Sequence, residues 1–481
     1  MKKLSNLLIL LTLILLSVVL IQHFGLTKYV TSHFSTQEEA VQEEVETKEK
    51  IRTRISYAKH IEKGDSRFQN GYLTLAITEY SLASQLEPTL PEPYIKIGKV
   101  HFGEKDFTKA LENFRIANQI DIKNIESKIL IGITYISLSE FDKSEKIFNS
   151  IEGNDARIYY YRGLLGVLYK RYEDAKYNLE EVLKINPESQ IADNAKRILN
   201  AFTTFEGSEG AQETYLRTLL AQNLSEINEH NLTIQVIYDV LEANPEYRDA
   251  WIILGYSYLN LEKYFDAISS LKEAEEIDPS KPETLYFLGL AEKKQGEYGE
   301  SINHLEIALR NGFEPKEAVF KELAEGYLKN EEYEKSVQYY EKLIEVNPEN
   351  LDAFIKAIWI YLDFIGDSNK ATEIAESVVL SHPDSALSYN LLGWALAEEG
   401  DVEGSKENLD KAIEMDENLA AAYLNLGIWY EVQDNLKEAK ANYNRAYELE
   451  KGTAIGEKAM IRYNAIIKAE AAEEVTPNST N

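Results

Sequence analysis

The sequence predicts an all-α protein, a right-handed superhelical solenoid of stacked helix–turn–helix repeats preceded by a single transmembrane helix. Two observations lead to this fold class. A small residue recurs at nearly constant spacing along most of the chain, and an uncharged apolar run occupies residues 4–21. Of the 481 residues 44% are hydrophobic and only 11 are proline, so the composition permits a folded core made of long helices.

The apolar run predicts a membrane anchor. Its length as a helix is about 27 Å, close to the thickness of a bilayer core. Because residues 22–26 offer no small-residue cleavage site, we expect an uncleaved signal-anchor over residues 1–26, with a cleaved signal peptide as the alternative. Lys2 and Lys3 place the N-terminus in the cytoplasm and the repeats on the extracytoplasmic side. Residues 27–52 are polar and acidic and are expected to form a solvated stalk or a helical spacer.

The repeat is defined by two small residues in each unit. The second follows the first at a fixed interval in nearly every unit, as Ala267 follows Gly255, and the whole pattern recurs at an almost constant period. Units commonly end at a proline such as Pro279. The first of these positions is called the landmark. It is occupied by Gly64, Gly98, Gly132, Gly163, Ala221, Gly255, Gly289, Ala324, Ile358, Gly393 and Gly427, and Ile358 stands where Gly or Ala is expected.

The same pattern predicts a pair of packed helices. Trp251, Leu254, Gly255 and Tyr258 have the spacing of one helix face. Small residues at both marked positions let two consecutive helices approach closely, and the proline stops the second helix. Since one such hairpin cannot bury its apolar face alone, neighbouring hairpins must stack.

With these residues in register, the chain resembles the tetratricopeptide repeat family over residues 57 to about 450, or ten to eleven units. The resemblance implies a concave groove, lined by the first helices of successive units, that binds peptides or partner helices.

The register breaks once, between Gly163 and Ala221, which predicts an added helix and then a glycine-rich hinge. We therefore expect the domain organisation to be an N-terminal lobe over 53–206, a hinge at 207–211, a C-terminal lobe over 212–450, a capping helix over 451–472 and a disordered tail over 473–481.

Composition and motifs argue against catalysis. There is no cysteine, no pair of histidines at metal-ligand spacing, no phosphate-binding loop and no nucleophile elbow, so we expect no enzyme, no cofactor and no metal. A net charge of −30 argues against nucleic acid, which needs a basic surface.

Helical geometry predicts which side chains face the groove. Positions −3, +1 and +5 from the landmark point away from the core of the hairpin. The tryptophans at these positions could instead pack on neighbouring helices or beneath the C-terminal helix. The unit at Ile358 departs from the pattern, because its second small residue, Ala371, comes one position later than in the other units. The predicted partner-binding residues are Tyr256, Asn260, Tyr286, Lys294, Lys321, Lys329, Trp359, Asn390 and Trp394.

These observations favour a membrane-anchored scaffold that binds protein or peptide partners, with cell-envelope complex assembly as its setting. Exposed aromatic residues and a local lysine cluster would suit an acidic peptide. The alternative is an accessory factor that binds a cell-wall or exopolysaccharide polymer during synthesis or export.

Overall fold

The structure, a computed structural model, describes the backbone of residues 2–23 and 26–475 and the side chains of residues 9–19, 42 and 47–471. Over this part of the chain the residues form 25 α-helices and one π-helical turn. They divide into two compact units, residues 1–211 and residues 212–481. The all-α prediction is therefore confirmed, whereas the handedness of a superhelix stays a prediction.

In the first unit, consecutive helices from α2 onward pair into four hairpins, and α10 follows as a single helix. The helices are α1 (Lys2–His23), α2 (Leu26–Gln69), α3 (Leu73–Leu86), α4 (Glu92–Gly103), α5 (Phe107–Ile120), α6 (Ile125–Ser137), α7 (Phe141–Asn149), α8 (Ala156–Leu168), α9 (Tyr172–Ile185) and α10 (Gln190–Glu206).

The second unit contains seven hairpins and a final helix, α25, which packs on α23 and α24. The helices are α11 (Glu213–Glu226), α12 (His230–Ala243), α13 (Arg248–Asn260), α14 (Tyr264–Ile277), α15 (Pro282–Gln295), α16 (Tyr298–Arg310), α17 (Lys316–Lys329), α18 (Tyr333–Val346), α19 (Leu351–Ile360), α20 (Ser368–Ser381), α21 (Ala386–Glu399), α22 (Val402–Met415), α23 (Ala420–Val432), α24 (Leu436–Leu449) and α25 (Ala454–Val475).

Each hairpin whose landmark is glycine is closed by a large side chain of the second helix that lies against that glycine. A Cβ added to Gly255 would lie 2.5 Å from Cγ of Leu271, far inside van der Waals contact. The interval between the landmark glycine and the large residue is the same in every such pair. The other pairs are Gly64 and Tyr80, Gly98 and Phe114, Gly132 and Phe148, Gly163 and Leu179, Gly289 and Leu305, Gly393 and Leu409, and Gly427 and Tyr443.

The second small residue adds a buried hydrogen bond where it is serine. The Oγ of Ser301 donates to the carbonyl of Gly289 at 2.7 Å, and Ser405 donates to Gly393 at 2.7 Å. Alanine at this position is equally buried but makes no such bond. Both residue types satisfy the need for a small side chain, and serine also ties the two helices together.

Between the two helices of a hairpin, the chain turns through a residue in the left-handed region, seven positions after the landmark. Such a conformation is unfavourable for residues other than glycine by about 1 kcal/mol, yet several of these positions are not glycine. They are Gly71, Lys105, Ser139, Lys170, Asn228, Glu262, Gly296, Glu331, Gly400 and Asp434.

The hairpin of α19 and α20 is the exception that the sequence spacing anticipates. The end of α19 continues as a π-helical turn, Tyr361–Ile365, and Gly366 turns the chain with φ 77°. The N–H of Gly366 donates to the carbonyl of Tyr361, five residues earlier, at 2.8 Å. Because a π turn accommodates one extra residue, Ala371 reaches the buried position that the second small residue occupies in the other hairpins.

Within the described residues, no helix is long and apolar enough to cross a membrane. The predicted anchor over residues 1–26 is thus not supported by the structure, and part of that segment lies outside the described residues. The backbone of the predicted stalk, 27–52, is helical as part of α2. Most of the predicted tail, 473–481, also falls outside the described part of the chain.

Candidate functional site

The first helices of neighbouring hairpins contact one another directly in the second unit. Besides its own hairpin partner, α13 contacts both α11 and α15. Because these three first helices lie side by side, side chains that point away from their second helices share one surface.

A cleft of about 610 Å³ lies on that surface, which is large enough to hold a few side chains of a ligand. Its walls are formed by α11, α13 and α15 and by the residues just before the last two. The lining consists of Tyr215, Thr218, Leu219, Gln222, Ser225, Glu226, Tyr247, Asp249, Ile252, Ile253, Tyr256, Lys281, Glu283 and Phe287.

Aromatic side chains hold one another in place along this cleft. The ring of Tyr256 lies with its centroid 5.0 Å from that of Phe287 and 5.9 Å from the imidazole of His230. The ring of Phe287 lies 5.5 Å from Tyr286, which stacks on Phe313 at 4.1 Å. These rings are half-buried or buried, so the aromatic part of the cleft is preorganised.

The charged groups of the cleft are partly paired at its edge. The ammonium group of Lys281 lies 3.0 Å from Oε2 of Glu283. Arg248, on the rim, binds Asp249 at 2.7 Å and also binds Asp278 at 2.7 Å. Glu226 is exposed at the end of α11 and accepts a hydrogen bond from Gln222 at 3.2 Å. The lining itself holds three carboxylates and one ammonium group.

Three predicted site residues lie in or beside the cleft. Tyr256 lines it. Asn260 is exposed one turn later, and its side-chain amide donates to the carbonyl of Tyr256 at 2.8 Å. Tyr286 is half-buried against Phe313, and burial together with the charge of Glu322 raises its pKa to about 12.

The predicted lysine cluster has a neighbour that the sequence prediction omitted. Lys294, Lys321 and Lys329 are exposed on α15 and α17. Lys293, next to the first of them, is largely buried between Glu322 and Glu325, with its ammonium group 2.7 Å from the latter. Carboxylates therefore share this surface with the exposed lysines.

Both predicted tryptophans are partly buried against the hydrophobic core. Trp359 and Trp394 are half-buried and pack against the cluster that contains Ile358 and Ala375. The indole N–H of Trp359 donates to Asp363 at 2.8 Å, within its own hairpin.

Asn390, also predicted to face the groove, is only 3% exposed. Its side-chain oxygen accepts a hydrogen bond from Asn425 on α23 at 2.9 Å. It joins two first helices instead of presenting a free amide.

The sequence analysis missed two positions of each first helix that line the cleft. The residues two before the landmark are Leu219, Ile253 and Phe287, and all three line the cleft. The residues six before it, Tyr215, Asp249 and Glu283, do the same. The positions that the sequence analysis did choose, three before and one after the landmark, include four residues that line the cleft. Around Gly255 they are Ile252 and Tyr256, and around Ala221 they are Thr218 and Gln222. The unit at Ala221 was left out of the predicted site, and including it could have located the cleft.

Within the described residues, no group of three or more histidine, aspartate or glutamate side chains is placed to hold a metal ion.

Comparison with known proteins supports the repeats in three stretches of the second unit. Family models described as tetratricopeptide repeat match residues 237–282, 322–350 and 386–419. The first of these stretches includes α13 and α14, and thus part of the cleft.

Two curated proteins are similar to the chain over fewer than half of its residues. A TPR repeat-containing protein of Methanocaldococcus jannaschii is 29% identical over 210 residues, which cover 39% of this chain and 36% of the relative. The BBSome complex member BBS4 homolog of Drosophila melanogaster is 22% identical over 235 residues, covering 43% and 47%. The chain thus spans about a third to a half of the length of these relatives.

A solved structure, the C-terminal part of a TPR repeat-containing protein from Cytophaga hutchinsonii, is 16% identical and covers 50% of this chain and 98% of its own, with a TM-score of 0.41.

Proposed function

We propose that this chain, which carries tetratricopeptide repeats, is a non-enzymatic scaffold that binds a segment of a partner protein in the cleft formed by α11, α13 and α15. The observation that carries the proposal is the aromatic and apolar lining of this cleft, held open on the surface by three packed helices.

The lining has the composition of a binding hot spot. Tyr215 is 36% exposed, and Tyr256 and Phe287 are half-buried, so each combines a fixed ring with an accessible face. Rigid aromatic side chains surrounded by polar groups contribute most of the binding energy at many protein interfaces. A cleft of this volume suits a few side chains of a bound segment and does not require the partner to be large.

Membrane attachment is a further part of the proposal. Leu13, Leu15 and Leu16 on α1 are 59%, 63% and 60% exposed, and these neighbouring positions point in different directions around the helix. Apolar side chains exposed on all sides are favourable in lipid and unfavourable in water. With Lys2 and Lys3 at the N-terminus, the repeats would lie outside the cytoplasm, in an envelope setting.

Capture experiments with the full chain test the scaffold proposal. We expect a protein captured by the wild-type chain to be lost when Tyr256→Ala and Phe287→Ala are combined, provided that circular dichroism and the melting temperature show a folded variant. Tyr177→Ala is the matched control, because Tyr177 is 58% exposed in the first unit. Retention of the same partners by the folded double variant would refute the assignment of the cleft.

Flotation with phospholipid vesicles tests the attachment. We expect the full chain to float with the vesicles and the variant Leu15→Glu, Leu16→Glu to remain in the dense fractions, because charged side chains are costly in the bilayer core. Equal flotation of both proteins would contradict an anchor at this helix.

A further inference from the structure

The cleft of the second unit has a chemistry that selects among partner segments. Building on the proposed function, we propose that it takes an arginine or lysine side chain of the partner, flanked by apolar residues. The cation would lie over the tyrosine rings and close to the carboxylates, and the flanking residues would contact Leu219, Ile252 and Ile253.

The first argument is the charge around the cleft. Glu226, Asp249 and Glu283 belong to the described lining, in which Lys281 is the single cation. Arg248 on the rim adds a second cation, but it is shared with Asp278. The lining therefore holds three carboxylates and one ammonium group, and the pair of Arg248 and Asp278 beside it adds no net charge, so the cleft carries an excess of negative charge. A positively charged side chain is attracted to such a site, and a negatively charged one is repelled.

The second argument is the state of the tyrosine rings. Elsewhere in the chain, the protein's own cations cover tyrosine faces, as Lys411 does for Tyr389 at 3.9 Å and Lys342 for Tyr339 at 4.2 Å. Within the described residues, no lysine or arginine lies over the rings of Tyr215, Tyr247 or Tyr256. These are the three tyrosine rings that line the cleft, so a cation from a partner can bind over them.

The histidine behind the cleft does not weaken this preference. His230 is 6% exposed and meets the ring of Tyr256 edge to face. Burial lowers the pKa of His230, so its imidazole is uncharged near neutral pH and adds no positive charge.

The competing occupant is an acidic segment, which the exposed lysines of α15 and α17 would favour. Lys294 lies at the far end of α15 from Glu283, and its neighbour Lys293 is already bound by Glu322 and Glu325. The cleft itself is lined by more carboxylates than ammonium groups. The observations therefore favour the basic segment.

Labelled peptides test the preference directly on the full chain. The probes are three fluorescein-labelled peptides of sequence Ala-Leu-X-Leu-X-Leu-Ala in which X is Arg, Gln or Glu, and fluorescence anisotropy measures their affinity. We expect the Arg peptide to bind about tenfold more tightly than the Gln peptide, and the Glu peptide to bind weakest. The preference should shrink when ionic strength rises from about 0.05 M to about 0.5 M.

Two variants locate the effect. Glu226→Gln combined with Glu283→Gln should reduce the preference for Arg over Gln to about twofold, because the surplus charge is removed. Glu273→Gln combined with Glu276→Gln is the matched control. It removes the same number of negative charges from the exposed face of α14, away from the cleft, and should leave the preference unchanged. Tyr256→Leu, which keeps an apolar side chain but removes the ring, should weaken the Arg peptide more than the Gln peptide.

Several results would overturn the inference. These are tightest binding of the Glu peptide, equal affinity for Arg and Gln, an equal response to both glutamate variants, or no measurable binding of the Arg peptide. If a captured partner still depended on Tyr256 and Phe287 in that case, the scaffold proposal would stand and only the choice of a basic segment would fail.

Discussion

Two hairpins of the second unit, α13–α14 and α19–α20, place their large and small side chains at opposite positions where the two helices meet. In the first, the landmark is Gly255 and the large residue is Leu271, which fills the space where a Cβ would be. In the second, the landmark is Ile358, and the equivalent residue of the second helix, after one extra residue, is Ala375. Both Ile358 and Ala375 are fully buried in one cluster.

What the two hairpins share is one large and one small side chain at these two positions, not the residue type at either one. Volume-conserving exchanges are the ones that protein cores tolerate best. The extra residue of the second hairpin is absorbed by the π-helical turn Tyr361–Ile365 before the second helix begins. The repeat therefore tolerates an exchange of small and large residues, provided that both partners change.

The largest effect is expected when only one partner changes. Gly255→Ile should destabilise the α13–α14 hairpin by about 4 kcal/mol, because the added atoms overlap Leu271. Adding Leu271→Ala should recover more than half of this loss by recreating the arrangement of Ile358 and Ala375. Hydrogen exchange of amides in this hairpin is the suitable measurement, since a long repeat array need not unfold in one step.

Gly299→Ile is the matched control, because nothing lies within 4 Å of a Cβ at Gly299. A loss at Gly255 no larger than at Gly299, or a double variant as unstable as the single one, would refute the rule that a large partner requires a small one.

The reverse test removes volume from the irregular hairpin. Ile358→Ala should cost about 2 to 3 kcal/mol, because Ala375 opposite cannot fill the cavity. Protection of amides in α19 and α20 should fall accordingly. Ile461→Ala, at a side chain that is 69% exposed, should change stability by less than about 0.5 kcal/mol. Similar effects at the two sites would show that Ile358 does not act as a core residue.

A smaller effect is expected from the hydrogen bond that only some hairpins possess. Ser405→Ala should cost about 1 kcal/mol, since it removes the bond to the carbonyl of Gly393 but keeps a small side chain. Ser269→Ala, on the exposed face of α14, should be nearly neutral. Equal protection of the amides of α21 and α22 in Ser405→Ala and in the wild-type chain would show that this hydrogen bond does not stabilise the hairpin.

The smallest expected effect is a dependence of the stability of the α15–α16 hairpin on pH. Burial lowers the pKa of His304, but the hydrogen bond to Glu292 at 2.7 Å and the charge of Glu275 outweigh burial and raise the pKa above 6.5. A raised pKa in the folded state means that the added stability is fully present below the unfolded pKa of about 6.5 and is lost as pH rises through the folded pKa.

Amides of α15 and α16 should therefore be better protected at mildly acidic pH than at alkaline pH, by less than about 1 kcal/mol. In His304→Gln this difference should disappear, because glutamine does not titrate. A variant with the same pH dependence as the wild-type chain would assign the effect to other groups.

The sequence predicted the hairpins well because their defining contact lies within one unit. Gly255 and Leu271 belong to consecutive helices of the same hairpin, so local spacing carries the information. The tetratricopeptide repeat resemblance was likewise supported by the family matches, whereas the anchor, the location and the polysaccharide alternative stay predictions.

The candidate site was predicted only in part, because it depends on contacts between units. Helical geometry located Tyr256 on the accessible face of α13, but it could not show that Asn390 is buried against Asn425 of the next first helix. Nor could it show that Glu322 and Glu325 engage Lys293. Positions that line a surface between helices depend on how closely those helices approach, and this distance is not encoded in the spacing of a single unit.

The pairing of each landmark glycine with a large residue of the following helix also bears on how such a chain can evolve. Since the glycine and its large partner are encoded within one short stretch of the gene, duplication or loss of a whole hairpin leaves the same contact intact in every other hairpin. Array length can thus drift without loss of foldability, while any cleft that spans three successive hairpins is conserved only if selection preserves those neighbours as a block.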